Sequence, residues 1–223
     1  MIKGAIFDID GVILDSMEMW NDLGKRYLSS MGIEAEKGLN DILFSMSMEE
    51  GARYLSEHYH VEKSSVEIVE DIKNMIENFY VNEVHEKDGA KELLAFIKKQ
   101  GIRIVAATSS DSVQVEKALR RNGLYEYFEK IFTTSEIGKS KHSSDIYDEA
   151  ARYLHILQEE TLVFEDSLYA LKTAREAGYI VIAVFDQYGE KNQYELKMMA
   201  DYYLEDYSAF KSGNLGAPLP IAL

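Results

Sequence analysis

Three short, largely apolar runs, each stopping abruptly at polar residues, constrain this chain more than any other feature. Residues 2–7 end at Asp8, residues 102–107 at Thr108 and residues 161–164 at Glu165. Continuous apolar runs of this length read as strands buried on both faces, the pattern of a parallel sheet. A segment with helical spacing follows two of them. Asp111 or Ser112 can cap one that runs to Asn122 before Gly123, and Ser167 can cap another that runs to Ala177 before Gly178. Further strands are predicted at residues 180–184 and 131–133, so strand and helix alternate from Gly89 onward. The fold class expected is α/β: a Rossmann-like parallel sheet with helices on both faces, whose ligands bind outside the carboxyl ends of the strands.

Between Asp15 and Lys87 the pattern changes to helices alone, near residues 16–31, 48–59 and 64–82. The expected organisation is therefore a core of residues 1–15 plus 88–223, with residues 16–87 as an inserted all-helical cap. The insertion follows the first acidic cluster directly, so it can fold over the strand ends and close a site there. At 223 residues, one domain with an insertion is the natural size.

Composition excludes several functions. The net charge is −15, from 24 Lys and Arg against 39 Asp and Glu, a balance that repels nucleic-acid phosphates. The same repulsion acts on any anionic substrate, so a phosphate-handling site here needs its own cation. No apolar run approaches the roughly 20 residues of a membrane span, and the opening MIKGAIFDID carries no signal-peptide pattern. A cytoplasmic protein that acts as a monomer, without nucleic-acid or membrane partners, is expected. Cysteine is absent, which rules out disulfides and thiolate metal sites. Both prolines, Pro218 and Pro220, fall in a C-terminal tail that reads as peripheral.

The candidate chemistry lies at the strand ends. In Phe7-Asp8-Ile9-Asp10-Gly11 two aspartates alternate just past a strand. One can serve as nucleophile and metal ligand while the other gives and takes a proton, and Gly11 permits a sharp turn beside them. Thr108, Ser109 and Ser110 offer hydroxyls and a helix-start amide cluster to a phosphate. Glu165 and Asp166 are hard oxygen ligands of the kind magnesium takes. Lys141, with Lys139 as the alternative, lies on a loop before a helix that begins near Ser143 or Ser144. Each piece alone is an ordinary turn, cap or solvated lysine. Their joint occurrence in this order is not ordinary. Histidines two apart on a helix point to different faces, so His58 and His60 carry no metal assignment.

The segments FDIDGVILDS, ATSS, SKHSSDIY and VFEDSLYALKTAREAG together resemble the haloacid dehalogenase superfamily, in its helical-cap subgroup with relatives of beta-phosphoglucomutase. The resemblance spans about residues 1–205. It implies Asp8 as nucleophile, Asp10 as general acid and base, Thr108 with Ser109 as phosphoryl-binding hydroxyls, and Lys141 as the cation screening nucleophile and phosphate. It further implies that Asp8, Asp10, Glu165 and Asp166 hold Mg2+ and that the substrate is a small phosphorylated metabolite. An acid at Asp10 argues against dehalogenation, because a halide leaving group needs no proton. Two departures matter. Relatives usually read Lys-Pro-x-Pro-Asp where this chain has Lys141-His142-Ser143-Ser144-Asp145. Mutases of this type carry a histidine where Trp20 stands and an arginine where Met48 aligns, in Phe44-Ser45-Met46-Ser47-Met48. Without a positive charge at Met48 to hold a second phosphate, a phosphatase is favoured over a mutase. A catalytically silent binding module of the same fold is the remaining alternative. Trp20 and Met48 either line the substrate pocket or pack the core of the insert.

Overall fold

The computed structural model describes residues 1–43 and 46–211. Pro218 and Pro220, and Phe44 with Ser45 beside Met48, lie outside the described residues. In chain order the elements open with β1 (Gly4–Phe7) and pass to the helices α1 (Met17–Ser30), α2 (Leu39–Leu43), α3 (Met48–His58) and α4 (Ser65–Asn78). A π-helical turn, Phe79–Glu83, follows α4. The alternating part comprises α5 (Ala90–Lys99), β2 (Arg103–Thr108), α6 (Ser112–Arg121), β3 (Ile131–Thr133), α7 (Thr134–Ile137), α8 (Asp145–Leu154) and β4 (Thr161–Glu165). It ends with α9 (Leu168–Glu176), β5 (Ile180–Val184), α10 (Gln193–Met199), β6 (Tyr202–Leu204) and α11 (Ser208–Lys211).

The six strands form one parallel sheet in the order β3-β2-β1-β4-β5-β6. The chain runs outward from β1 to β3, then returns to the other side of β1 at β4. That reversal sets the switch point between β1 and β4, where ligands of open parallel sheets bind. Alternate strand residues feed the two faces. Ile6, Val105, Ala107, Val163, Val181 and Ala183 pack with α8, α9 and α10 residues such as Ile146, Tyr147, Ala150, Leu171, Ala174 and Leu196. Their neighbours along the strands, such as Phe7 and Phe164, point the other way, and those two rings stack at 4.0 Å. Phe7 is level with Ala106 on one side and Phe164 on the other, so Asp8 emerges directly beside Glu165.

The described chain divides into two compact units, Met1–Met17 with the chain from Val84 onward, and Glu18–Glu83. Residues 84–87, which the sequence pattern assigns to the insert, belong with the sheet because they pair with the outgoing crossing. Leu14 and Glu86 form an antiparallel bridge, Asp15 N donates to His85 O at 2.9 Å, and Lys87 N donates to Ile13 O at 2.8 Å. Within the second unit, α3 and α4 each open on a capping box. Ser47 with Glu50 and Ser64 with Glu67 exchange side-chain and backbone hydrogen bonds. On α4, Ile68, Ile72 and Ile76 recur every fourth residue and are buried. The helix expected over 64–82 is α-helical only to Asn78, and the short α2 has no counterpart in the sequence reading.

Candidate active site

Asp8 stands one residue past β1, its amide held by Phe164 O at 2.9 Å. Its Oδ1 accepts from Lys141 Nζ at 2.7 Å. The same ammonium donates to Glu165 Oε1, also at 2.7 Å, and Tyr147 Oη donates to that oxygen at 2.7 Å. Lys141 is only 2 % exposed, which places it in the interior despite its position on a loop. Burial opposes its charge, but Asp8 and Glu165 outweigh that, and its pKa is raised. Lys139 goes elsewhere: it pairs with Asp145 at 2.7 Å and is mostly exposed. Of the two loop lysines, Lys141 reaches the acids.

Asp8, Glu165 and Asp166 each offer an oxygen within 4.8 Å of the others. The three acids face one buried cation. Burial pushes the Asp8 carboxyl well above its usual range, with Lys141 opposing and Glu165 and Asp166 adding to the shift. Burial likewise lifts Asp166 to about 8, with Glu165 adding to it. Glu165 Oε2 is buried without a hydrogen-bond partner. An orphaned carboxylate oxygen among three buried acids that share a single ammonium is a strained arrangement for protein alone. Hard oxygen donors and surplus negative charge fit a hard divalent cation such as magnesium. Among the described residues this is the one group of three or more such ligands. His58 instead stacks on Tyr54 and lies 3.2 Å from Glu36, half exposed.

Asp10 is not one of the three grouped acids, but its charge adds to the shift of Asp8. Ser16 Oγ donates to Asp10 Oδ1 and Ser110 Oγ to Asp10 Oδ2, both at 2.6 Å. Its side chain is thus aimed by two hydroxyls, one from each side. Gly11 makes the intervening turn at φ +73°, and a Cβ there would lie 2.5 Å from Asp166 Oδ2. Both the backbone and the carboxylate demand glycine. Thr108 is fully buried at the end of β2, and its Oγ1 accepts from Ser110 N at 3.0 Å. Ser109, next to it, is exposed. Asp111 Oδ1 caps the first turn of α6 through Val113 N and Gln114 N, at 2.9 and 3.1 Å.

In the other unit, Trp20 is half-buried and donates from Nε1 to Tyr80 Oη at 3.0 Å. Met48 is half-buried at the first position of α3, directly after the Ser47 cap. Sequence reasoning left four participants unassigned: Ser16, Tyr147, and the pair of Lys87 and Asp186, 2.9 Å apart, whose charges both act on Asp166. A serine, a helix tyrosine and charged loop residues carry no positional signal of their own. Ser110 was visible only as part of the hydroxyl cluster.

A profile of haloacid dehalogenase-like hydrolases matches residues 5–184. A phosphorylated carbohydrates phosphatase of Thermotoga maritima is 25% identical over 177 residues, 79% of this chain and 82% of its own length. The beta-phosphoglucomutase of Bacillus subtilis is 26% identical over 191 residues, 82% of this chain and 83% of its own. Among solved structures, a Thermotoga maritima protein described provisionally as a beta-phosphoglucomutase has a TM-score of 0.82 at 22% identity, covering 97% of this chain and 100% of its own. That structural likeness speaks to the fold.

Proposed function

Since the chain belongs to the haloacid dehalogenase-like hydrolases and is a phosphohydrolase, we propose that it hydrolyses a small phosphomonoester, a sugar phosphate or similar metabolite, through a phosphoryl group carried transiently on Asp8. The observation that carries this reading is Lys141 Nζ at 2.7 Å from both Asp8 and Glu165. A carboxylate approaching a phosphate to about 4 Å meets a repulsion of roughly 4 kcal/mol at an effective dielectric of 20. Lys141 lowers that barrier from the protein side. Asp8, Glu165 and Asp166, with Asp10 as the fourth expected ligand, would hold magnesium, which when bound supplies positive charge to the phosphoryl oxygens.

In the first step an Asp8 oxygen bonds to phosphorus as the bond to the substrate oxygen breaks. Protonated Asp10 gives its proton to that leaving oxygen, which departs as an alcohol. In the second, Asp10 takes a proton from water while the water oxygen bonds to phosphorus. The bond to Asp8 breaks, inorganic phosphate leaves, and both aspartates return to their starting forms. Thr108 and Ser109 supply hydroxyls to the phosphoryl oxygens, and Ser16 and Ser110 keep Asp10 aimed at its two partners. Trp20 and Met48 are the first candidates to contact the organic part of the substrate.

The test is a panel of phosphorylated metabolites with magnesium and no bisphosphate primer, reading phosphate release and product identity. Release from one class of monophosphate is expected. The Bacillus subtilis relative gives the competing outcome a specific basis. Interconversion of hexose phosphates faster than release would establish a mutase. Binding of esters without turnover would establish the silent module.

A further inference from the structure

Lys87, on the return crossing from the insert, is buried to 16 % side-chain exposure, and all three of its ammonium donors are engaged. It donates to Gly11 O at 2.7 Å, to Phe185 O at 2.7 Å and to Asp186 Oδ2 at 2.9 Å. Gly11 lies on the loop after β1, and Phe185 and Asp186 on the loop after β5. Lys87 therefore ties together two loops that share no sheet hydrogen bond with each other. Asp186, itself 4 % exposed, extends the tie: its Oδ1 accepts from Tyr188 N at 2.8 Å and Gly189 N at 3.1 Å.

Both loops close on a single atom. A Cβ on Gly11 would lie 2.5 Å from Asp166 Oδ2, and one on Gly189 would lie 2.8 Å from the same oxygen. The Asp166 carboxylate thus sits in a notch walled by two glycines, and the width of that notch is the separation of the two loops. Lys87 and Asp186 set that separation. We propose that Lys87 and Asp186 are a positioning pair that holds the Asp166 carboxylate in place for a divalent cation. The proposal rests on the metal reading above. It adds that a residue far along the chain, outside every motif strand end, governs how tightly the cation is held. Partners that orient a ligand in this way are worth about 10–100-fold in metal affinity.

The experiment is calorimetric titration of magnesium into substrate-free protein, comparing wild type with Lys87→Met, Asp186→Asn and Asp166→Asn, each checked for native circular dichroism. Lys87→Met should weaken magnesium binding about 10–100-fold in a folded protein, while Asp166→Asn should abolish the signal. If Lys87→Met does not fold, Asp186→Asn decides, because it keeps the shape and one acceptor oxygen, enough for the Tyr188 and Gly189 amides, while removing the charge and the second acceptor that hold Lys87. Should both variants bind magnesium as the wild type does while Asp166→Asn does not, the positioning role is overturned and the metal site stands. If Asp166→Asn binds as well as the wild type, the metal reading itself fails and this proposal falls with it.

Discussion

Lys141→Met isolates the interaction on which the proposed chemistry depends. Methionine keeps the length and most of the volume of lysine, so the cavity cost is small and the loss is electrostatic. The variant leaves Asp8 and Glu165, with oxygens within 4.8 Å of one another, facing each other without their shared cation. Two unit charges at that separation repel by about 3.5 kcal/mol at an effective dielectric of about 20. Removing one partner of a buried pair costs about 3–5 kcal/mol by a separate measure, so the expected destabilisation is of that order. The pH dependence has a definite sign. Burial already raises the folded-state pKa of Asp8 above its ordinary value of 3.8, with Lys141 as the main opposing influence. Without Lys141 it rises further. A carboxyl whose folded pKa exceeds its unfolded one contributes stability below the unfolded value and loses it as pH rises through the folded one. Urea unfolding in chelator should therefore show a larger deficit at about pH 8 than at about pH 5. Activity should fall by about a thousandfold, the equivalent of roughly 4 kcal/mol in the barrier. Equal stability of variant and wild type at both pH values would refute the reasoning, because it would mean that the buried acids do not depend on Lys141.

Asp8→Asn should leave the fold intact and reduce phosphate release below about 1% of wild type, since the amide cannot form the phosphoryl ester; higher residual turnover, measured by phosphate release, would remove Asp8 from the nucleophile role. Burial lifts Asp166 from 3.8 to about 8, so metal-free protein should lose stability as pH rises between those values. Magnesium must displace that proton, and its affinity by calorimetry should tighten by up to about tenfold per unit from pH 6 to 8; a flat profile would contradict the shift. Ser110→Ala and Ser16→Ala each remove one hydroxyl from Asp10 and should lower kcat about tenfold with a smaller change in KM, as expected for a hydrogen bond to a charged group worth about 1.5 kcal/mol. Steady-state kinetics that move KM alone would assign these serines to substrate binding instead.

The sheet and its functional edge were legible in the residues because buried parallel strands must be apolar throughout, and the chain can expose carboxylates only where the strands stop. Residues 2–7, 102–107 and 161–164 therefore announce both the strands and the positions of Asp8, Thr108 and Glu165. Capping chemistry is equally local, and Asp111 caps α6 where its position before an apolar-periodic segment predicts. Element ends were less legible: α4 passes into a π-helical turn at Phe79, and the five residues of α2 are too few to display a period. Tertiary structure alone decided which charges meet. Lys139 and Lys141 lie two residues apart on one loop, yet one pairs with Asp145 at the surface and the other is buried between Asp8 and Glu165. Only the spacing from Lys141 to Asp145 shared with the resembling family ranked Lys141 first; no local propensity does. The clasp of Ser16 and Ser110 on Asp10, the bond of Tyr147 to Glu165, and the tie of Lys87 to Asp186 span up to 100 positions of the sequence. Local propensity and periodicity act over a turn or a strand. The approach of distant side chains depends on sheet order and register, which exist only once the whole chain has folded.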